Sequence, residues 1–449
     1  MLSRQLFSQL VRGQRRVVPL ANSFPRNTAG VQLQAANRHV HTDSGSLKRP
    51  HRSSEVHTVP RIRAAYQSQC SEHNHKMVVV EISDGSRYEY PLVWLRDNCQ
   101  CESCYHAGSN SRILDWEHFD VEHLQLKSCA ESDHGNKIKL VWSDGHKSQF
   151  GIDWLVERNF SEENRQDYLK EWYRPQARLW GKQDFRDILR EFQFADVINS
   201  DEALKEWIEA LSRYGLALIR NAPLTENECR KLADRVGFIR KTHYGEEFSL
   251  KGSEGTSSST VFMYNDKPYY EYKPGCNLLH SIGETKSTTE GQNLISDAFY
   301  VAEIMRHDLS EEFAILAETP VNWSHVDSGI GGEFQSILRA PVICDGPDGK
   351  LERVNLSVAF RDSHFNIPVE KVEPWYRAMS SFVQLVHREA VRVKTNPGDI
   401  LTFDNLRMVH GRTKTKPTKG EINERHIVGA YLDWDILYSK LRVLKSQQK

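Results

Sequence analysis

No stretch of the 449-residue sequence approaches the ~18 uninterrupted apolar residues that a membrane-crossing helix needs, so no membrane partner is expected. An excess of charge of one sign is also missing. The 59 Lys and Arg residues stand against 60 Asp and Glu, which leaves no global field to gather nucleic acid and makes a small molecule the expected partner. Cysteines are too scattered for a disulfide scaffold: Cys70, Cys129, Cys229, Cys276 and Cys344 stand alone, and no secretory leader precedes them. Acidic residues are absent from Met1 to Thr42, where Arg4, Arg12, Arg15, Arg16, Arg26 and Arg38 are spread beside a helically spaced Leu2, Leu6, Phe7, Leu10 and Val11. That composition predicts a transit peptide over residues 1–42 and a mitochondrial matrix location.

What is present suffices for two cores, since 39% of the residues are hydrophobic and 10% aromatic. Residues 43–75 begin with a Ser, His and Arg-rich stretch without apolar periodicity and read as a linker. Residues 76–180 read as a small β-rich domain. Its signals are Met77–Ile82 and Tyr88–Val93 around Asp84-Gly85, then Lys137–Trp142 and Lys147–Phe150 around Asp144-Gly145. In residues 181–449 a helix is predicted from Asp201 to Gly215, before a strand Leu216–Arg220. A second helix is predicted from Thr225, with Glu228 at the capping-box position. Short β-type runs follow at Asn277–Ile282, Leu294–Ile295, Arg353–Leu356, Ile400–Phe403 and Ile427–Tyr431. The expected class is mainly β with α: a double-stranded β-helix, the jelly roll of cupin-like proteins, with helical buttresses. No internal repeat is legible.

Cys99, Cys101 and Cys104 put three thiols in one short loop, the soft and closely spaced set that Zn(II) takes for part of a tetrahedral site. A fourth ligand has to come from His106, His118, His123, His134 or His146, and His146 is favoured by its place just beyond the turn of the second hairpin.

The segment Pro91-Leu92-Val93-Trp94-Leu95-Arg96-Asp97-Asn98-Cys99-Gln100-Cys101-Glu102-Ser103-Cys104 closely resembles the signature of the gamma-butyrobetaine and trimethyllysine hydroxylase family of Fe(II)/2-oxoglutarate dioxygenases. The resemblance runs from Lys76 to Leu444. It implies a zinc-binding N-terminal domain, and its Trp-x-Asp-x-His stretch falls on Trp142-Ser143-Asp144-Gly145-His146, which selects His146 as the fourth zinc ligand.

For iron, the family arrangement of two histidines and a carboxylate implies three positions. The segment from Asn396 to Arg412 is similar to the one that ends in the distal ligand, which makes His410 that residue. Asp266, ahead of Pro274-Gly275 and Leu278-Leu279-His280, is in register with the carboxylate. Two residues earlier, where the resemblance calls for histidine, stands Tyr264. A phenolate favours Fe(III) and a neutral phenol is a weak ligand, so Asp266 and His410 are the dependable pair. His243 and His280 fall outside the motif and read as structural histidines. The resemblance places Arg425 on the distal carboxylate of 2-oxoglutarate, where a guanidinium gives two parallel charge-assisted hydrogen bonds. Glu290-Gly291-Gln292-Asn293 replaces the family's Gly-Gly-Asp-Ser/Thr run.

Tyr244, Phe248 and Tyr431 resemble positions of an aromatic cage for a trimethylammonium group, with Thr256 at a further position where an aromatic is expected. The resemblance thus implies hydroxylation of gamma-butyrobetaine or trimethyllysine in carnitine biosynthesis. Fe(II), Zn(II), 2-oxoglutarate and oxygen would be required, ascorbate would be a candidate reductant, and a homodimer is allowed. The closing Gly429–Asp435 is closer to the butyrobetaine enzyme, the leader to the trimethyllysine enzyme. Tyr264 opens the alternative of a catalytically silent homologue that binds a betaine-like ligand or a partner.

Overall fold

Alternating hydrophobicity builds the first sheets. In the computed structural model, which describes residues 60–69, 75–251, 261–283, 292–346, 348–413 and 425–447, the strands Ile62–Gln69, Lys76–Ile82 and Arg87–Pro91 form an antiparallel sheet. It is followed by a short helix, Leu92–Asp97. The leader expected over residues 1–42 and the position Thr256 lie outside the described residues.

The strand Ile62–Gln69 corrects the expectation that residues up to 75 are linker, because it pairs antiparallel with Lys76–Ile82, in unbroken register from Ala64 to Gln69 after a bulge between Ile62 and Ala64. Only Ile62 on this edge strand is deeply buried, so its sequence carries no apolar period to read. A second unit has the same order: strands Leu126–Ser132, Lys137–Trp142 and Lys147–Gly151, then the helix Ile152–Glu157. Leu92, Trp94 and Leu95 recur 60 residues later as Ile152, Trp154 and Leu155. The two indoles meet with ring centroids 5.1 Å apart, so the small domain is a structural duplication that the diverged sequence conceals. Val78, Val80, Leu95, Leu140, Trp142 and Leu155 lie in one shared core.

The chain joins the larger body before Trp180. The carbonyls of Trp172 and Tyr173 accept hydrogen bonds from Arg442, and Trp180 is buried with Leu216, Leu218 and Phe403.

In that body a six-stranded sheet runs in the order Glu247–Lys251, His426–Leu432, Cys276–Gly283, Ile400–Asp404, Leu216–Arg220, Glu191–Gln193, antiparallel except for the last pair. A four-stranded antiparallel sheet is ordered Val261–Tyr264, Met408–Arg412, Asn293–Asp297, Val391–Val393.

The predicted helix spans Asp201–Tyr214. Ser200 accepts from Ala203 N at its start, and Gly215, at φ +78°, ends it in the left-handed conformation that glycine enters without steric cost. Leu204, Trp207, Ile208 and Leu211 recur at helical spacing and cover one face of the six-stranded sheet, together with Leu232, Leu437 and Leu441 from two other helices. The other predicted helix begins at Glu228, not Thr225. The Thr225 hydroxyl reaches the Glu228 carboxylate directly at 2.5 Å, so neither caps a backbone N–H as the sequence suggested.

One buried ion pair ties the layers. Asp297 accepts from Arg407 Nε at 3.1 Å and Nη2 at 2.6 Å, and caps the helix Ala298–Asp308 through Phe299 N and Tyr300 N. Two further guanidinium N–H groups donate to the carbonyls of Arg213 and Arg178, so the two opposite charges are matched where no water reaches.

Candidate metal centres and substrate pocket

The turn after Leu92–Asp97 brings Cys99, Cys101 and Cys104 to the tip of the second hairpin. His146 Nε2 lies 3.3, 3.6 and 3.6 Å from the three sulfurs. Tetrahedral bonds of about 2.3 Å to sulfur and 2.0 Å to nitrogen would separate those atoms by about 3.5 Å, so the four donors suit Zn(II). His106, His118, His123 and His134 are not in this group. Ser148 donates to Cys99 Sγ at 3.0 Å and Arg96 to Cys104 Sγ at 3.4 Å, outer contacts that favour thiolate. Burial lifts the Cys99 thiol to about 11. At Cys101 burial acts the same way, but hydrogen bonds from Ser103, Cys99 and Cys104 outweigh it and bring the thiol down to about 7.

The second centre lies where the two sheets of the larger body face each other. Tyr264 and His410 are direct cross-strand partners with ring centroids 4.4 Å apart. Asp266 follows two residues later, its Oδ1 4.0 Å from His410 Nε2. The other carboxylate oxygen accepts from Asn277 Nδ2 at 2.6 Å and from the Tyr431 hydroxyl at 3.2 Å. Asn405 fixes the backbone around it, accepting from Asp266 N and donating to Asp266 O. Adjacent metal bonds of about 2.1 Å would put the two donor atoms about 3.0 Å apart, so the 4.0 Å pair would have to close by about 1 Å on an ion, and burial lowers the His410 pKa, which keeps its imidazole neutral and able to ligate. The third position is different. Burial, reinforced by Asp266, pushes the Tyr264 phenol well above its ordinary pKa against the pull of Arg425 and Arg412, so it faces the pair protonated. The residues present therefore fit iron at two of three positions.

His280 cannot supply the missing imidazole. Asn277 on the same strand faces Asp266, so residues of opposite parity, Leu278 and His280, point to the other face, where Leu278 packs under the helices. Arg425 stands at the start of the strand His426–Leu432, within electrostatic reach of Tyr264. In the altered loop, Glu290 and Gly291 lie outside the described residues, while Asn293 donates to Thr395 Oγ1 at 3.2 Å.

Of the expected cage, Phe248 and Tyr431 come together with ring centroids 5.4 Å apart. Phe248 passes over Gly429, its cross-strand partner, where a Cβ would lie 2.1 Å from the ring. Tyr244 is turned elsewhere: its hydroxyl is 2.5 Å from Asp327 Oδ2 and 3.2 Å from His325 Nε2, and the Lys267 ammonium stands 3.9 Å above its ring. The protein's own cation thus covers the Tyr244 face. Neither Lys267 nor Asn277 was marked by the sequence reading. Lys267 directly follows Asp266 but belongs to no motif, and Asn277 declares itself only through strand register.

Residues 172–431 match the Taurine catabolism dioxygenase TauD, TfdA family, and residues 70–156 match Gamma-butyrobetaine hydroxylase-like, N-terminal. The chain is 33% identical over 366 residues to the human gamma-butyrobetaine dioxygenase, covering 80% of this chain and 92% of that protein. This chain belongs to the gamma-butyrobetaine and trimethyllysine dioxygenase family. It is likewise similar to the mitochondrial trimethyllysine dioxygenase of Rattus norvegicus, at 28% identity over 84% of this chain and 87% of that one. Among solved structures, a taurine dioxygenase from Burkholderia xenovorans is 15% identical with a TM-score of 0.42, covering 57% of this chain and 89% of its own. As a member of this dioxygenase family, the chain is an oxidoreductase with a TauD/TfdA-type fold, with iron as cofactor and 2-oxoglutarate as co-substrate. No described helix is long and apolar enough to cross a membrane.

Proposed function

We propose that this dioxygenase hydroxylates a trimethylammonium amino acid, gamma-butyrobetaine or trimethyllysine, in carnitine biosynthesis. The observation that carries the reading is the Asp266 and His410 pair, 4.0 Å apart and held from both sides, in a chain similar over most of its length to enzymes of those names. The two sheets that flank the pair support a jelly-roll arrangement of the larger body. The small duplicated domain ends, in this reading, between Arg158 and Trp172. A matrix location and a homodimer belong to the same proposal.

Each residue has a separate task. Asn277 and Tyr431 hold one oxygen of Asp266, which leaves the other aimed at His410, and these two residues would hold the iron. Once bound with 2-oxoglutarate, Fe(II) supplies the oxygen activation that a C–H hydroxylation needs. Arg425 receives the distal carboxylate of 2-oxoglutarate as a bidentate pair. Phe248 and Tyr431 offer ring faces to a quaternary cation, a contact worth up to about 2 kcal/mol when desolvated.

Tyr264 favours the second reading, a homologue with impaired turnover, because a protonated phenol replaces an imidazole donor. One experiment separates the two. Protein loaded anaerobically with Fe(II), 2-oxoglutarate and either betaine is exposed to oxygen, and succinate and hydroxylated product are quantified. Product in step with succinate supports the hydroxylase; neither with both substrates removes it.

A further inference from the structure

We propose that His243, His325 and Asp327 form a binding site for a divalent transition-metal ion, separate from the cysteine cluster and from the Asp266 and His410 pair. One donor atom from each of the three residues lies within 4.8 Å of the other two. Two imidazoles and a carboxylate suit zinc and the other late first-row divalent ions, which prefer nitrogen with a hard oxygen donor.

The fold builds this convergence from separate pieces of chain. His325 and Asp327 sit two residues apart on the strand Val321–Gly329, so both project from the same face. His243 arrives from a loop docked on the tip of that hairpin, where Ile330 N donates to its carbonyl at 2.9 Å. Gly329 permits the approach, since a Cβ there would lie 2.2 Å from the His243 carbonyl oxygen.

The His243 ring is fixed in two further ways. It stacks on Phe334 with centroids 4.0 Å apart and planes 5° from parallel, and its Nδ1 lies 2.7 Å from the Tyr270 hydroxyl. Nε2 is thereby left buried with no hydrogen-bond partner among the described residues. An imidazole anchored through one nitrogen with the other unpaired is the arrangement that orients metal-binding histidines. A buried ring nitrogen left unpaired is destabilising, and a bound cation would remove that penalty. Without an ion, the Tyr244 hydroxyl stands between Asp327 and His325 and contacts both. A bound ion would displace that hydroxyl from both donors.

The test uses the full chain, produced with Co(II) as the supplied metal and dialysed against Co(II). Thiolate ligation at Cys99, Cys101 and Cys104 gives a near-ultraviolet charge-transfer band that nitrogen and oxygen ligands do not produce, so the cysteine site is counted separately. In a His410→Gln background, which disables the family site, Asp327→Asn and His325→Gln should each lose one further equivalent of bound Co(II) while the thiolate band is unchanged. The same ion should raise the Tm of His410→Gln protein above that of the double variants, which guards against counting losses from unfolding. Equal Co(II) stoichiometry with and without Asp327→Asn overturns the site. So does loss of the extra equivalent in His410→Gln alone, because the ion would then belong to the family centre.

Discussion

Tyr264 lies directly opposite His410 on the neighbouring antiparallel strand, and Asp266 stands 4.0 Å from the same histidine. A tyrosine therefore occupies one corner of a site whose other two corners are kept and braced. Tyr264→His replaces a protonated phenol by a neutral imidazole at that corner. The expected outcome is Fe(II) affinity raised by about tenfold or more, the range by which single groups around a metal change its binding. Succinate formation with 2-oxoglutarate should rise in parallel. Anaerobic Fe(II) titration checks the first, and an unchanged affinity would show that position 264 does not touch the ion.

Zinc bound at the cysteine cluster would tie the loop after Leu92–Asp97 to the tip of the second hairpin, bridging the two halves of a small duplicated domain. Removal of zinc by a chelator, or Cys101→Ser, should lower the Tm and release aggregation-prone protein before it alters iron binding, because a closed site of this kind contributes directly to folding. Differential scanning calorimetry with and without chelator measures it. A melting curve indifferent to zinc would contradict the structural role.

Arg407 and Asp297 are both fully buried and joined by two hydrogen bonds. Arg407→Met leaves the Asp297 carboxylate without its counter-ion in a site closed to water and removes the Arg407 donor from the Arg178 carbonyl, while the Arg213 carbonyl keeps only the N–H of Arg178. The expected cost is about 3–5 kcal/mol of unfolding free energy. Urea denaturation gives the value directly, and a loss below 1 kcal/mol would mean that the layers are held by their apolar contacts alone.

Lys273 is buried, donates to the Val354 carbonyl at 2.6 Å and has its pKa brought down to about 7, first by burial and then by Arg353. In the unfolded chain a lysine titrates near about 10.4, so between these values the unfolded state holds the extra proton. Stability should accordingly rise as pH increases from 7 toward 10, by at most about 1.4 kcal/mol per pH unit from this group. Lys273→Met should flatten that slope in denaturation curves taken across the interval. An identical slope in the variant would assign the pH dependence to other groups.

Much of this architecture is written locally. The alternation in Lys76–Ile82 and Lys137–Trp142, the glycine after Tyr214 and the tight cysteine spacing each encode their structure within a few residues, where backbone preference and side-chain period decide the outcome. The same holds for the motifs around Asp266 and His410, and for the tyrosine at 264. The duplication was not plainly legible: at a constant offset of 60, Ser83-Asp84-Gly85 recurs as Ser143-Asp144-Gly145 and Leu92, Trp94 and Leu95 as Ile152, Trp154 and Leu155, but the strands between these matches have diverged. Nor was the strand Ile62–Gln69, which buries one side chain firmly and leaves the rest near solvent.

Contacts between distant segments belong to the tertiary structure alone. The sequence by itself determined the family, the grouping of Cys99, Cys101, Cys104 and His146 and the question raised by Tyr264, since these depend on residue types in recognisable local motifs. Packing decided that Asn277 and Tyr431 grip Asp266, that Lys267 covers Tyr244, and that His243 meets His325 and Asp327. Those meetings join residues up to 165 positions apart, as between Tyr431 and Asp266, and depend on strand register and on loops seated against glycine. No local preference encodes such a distance; only the folded sheets bring the side chains within bonding range.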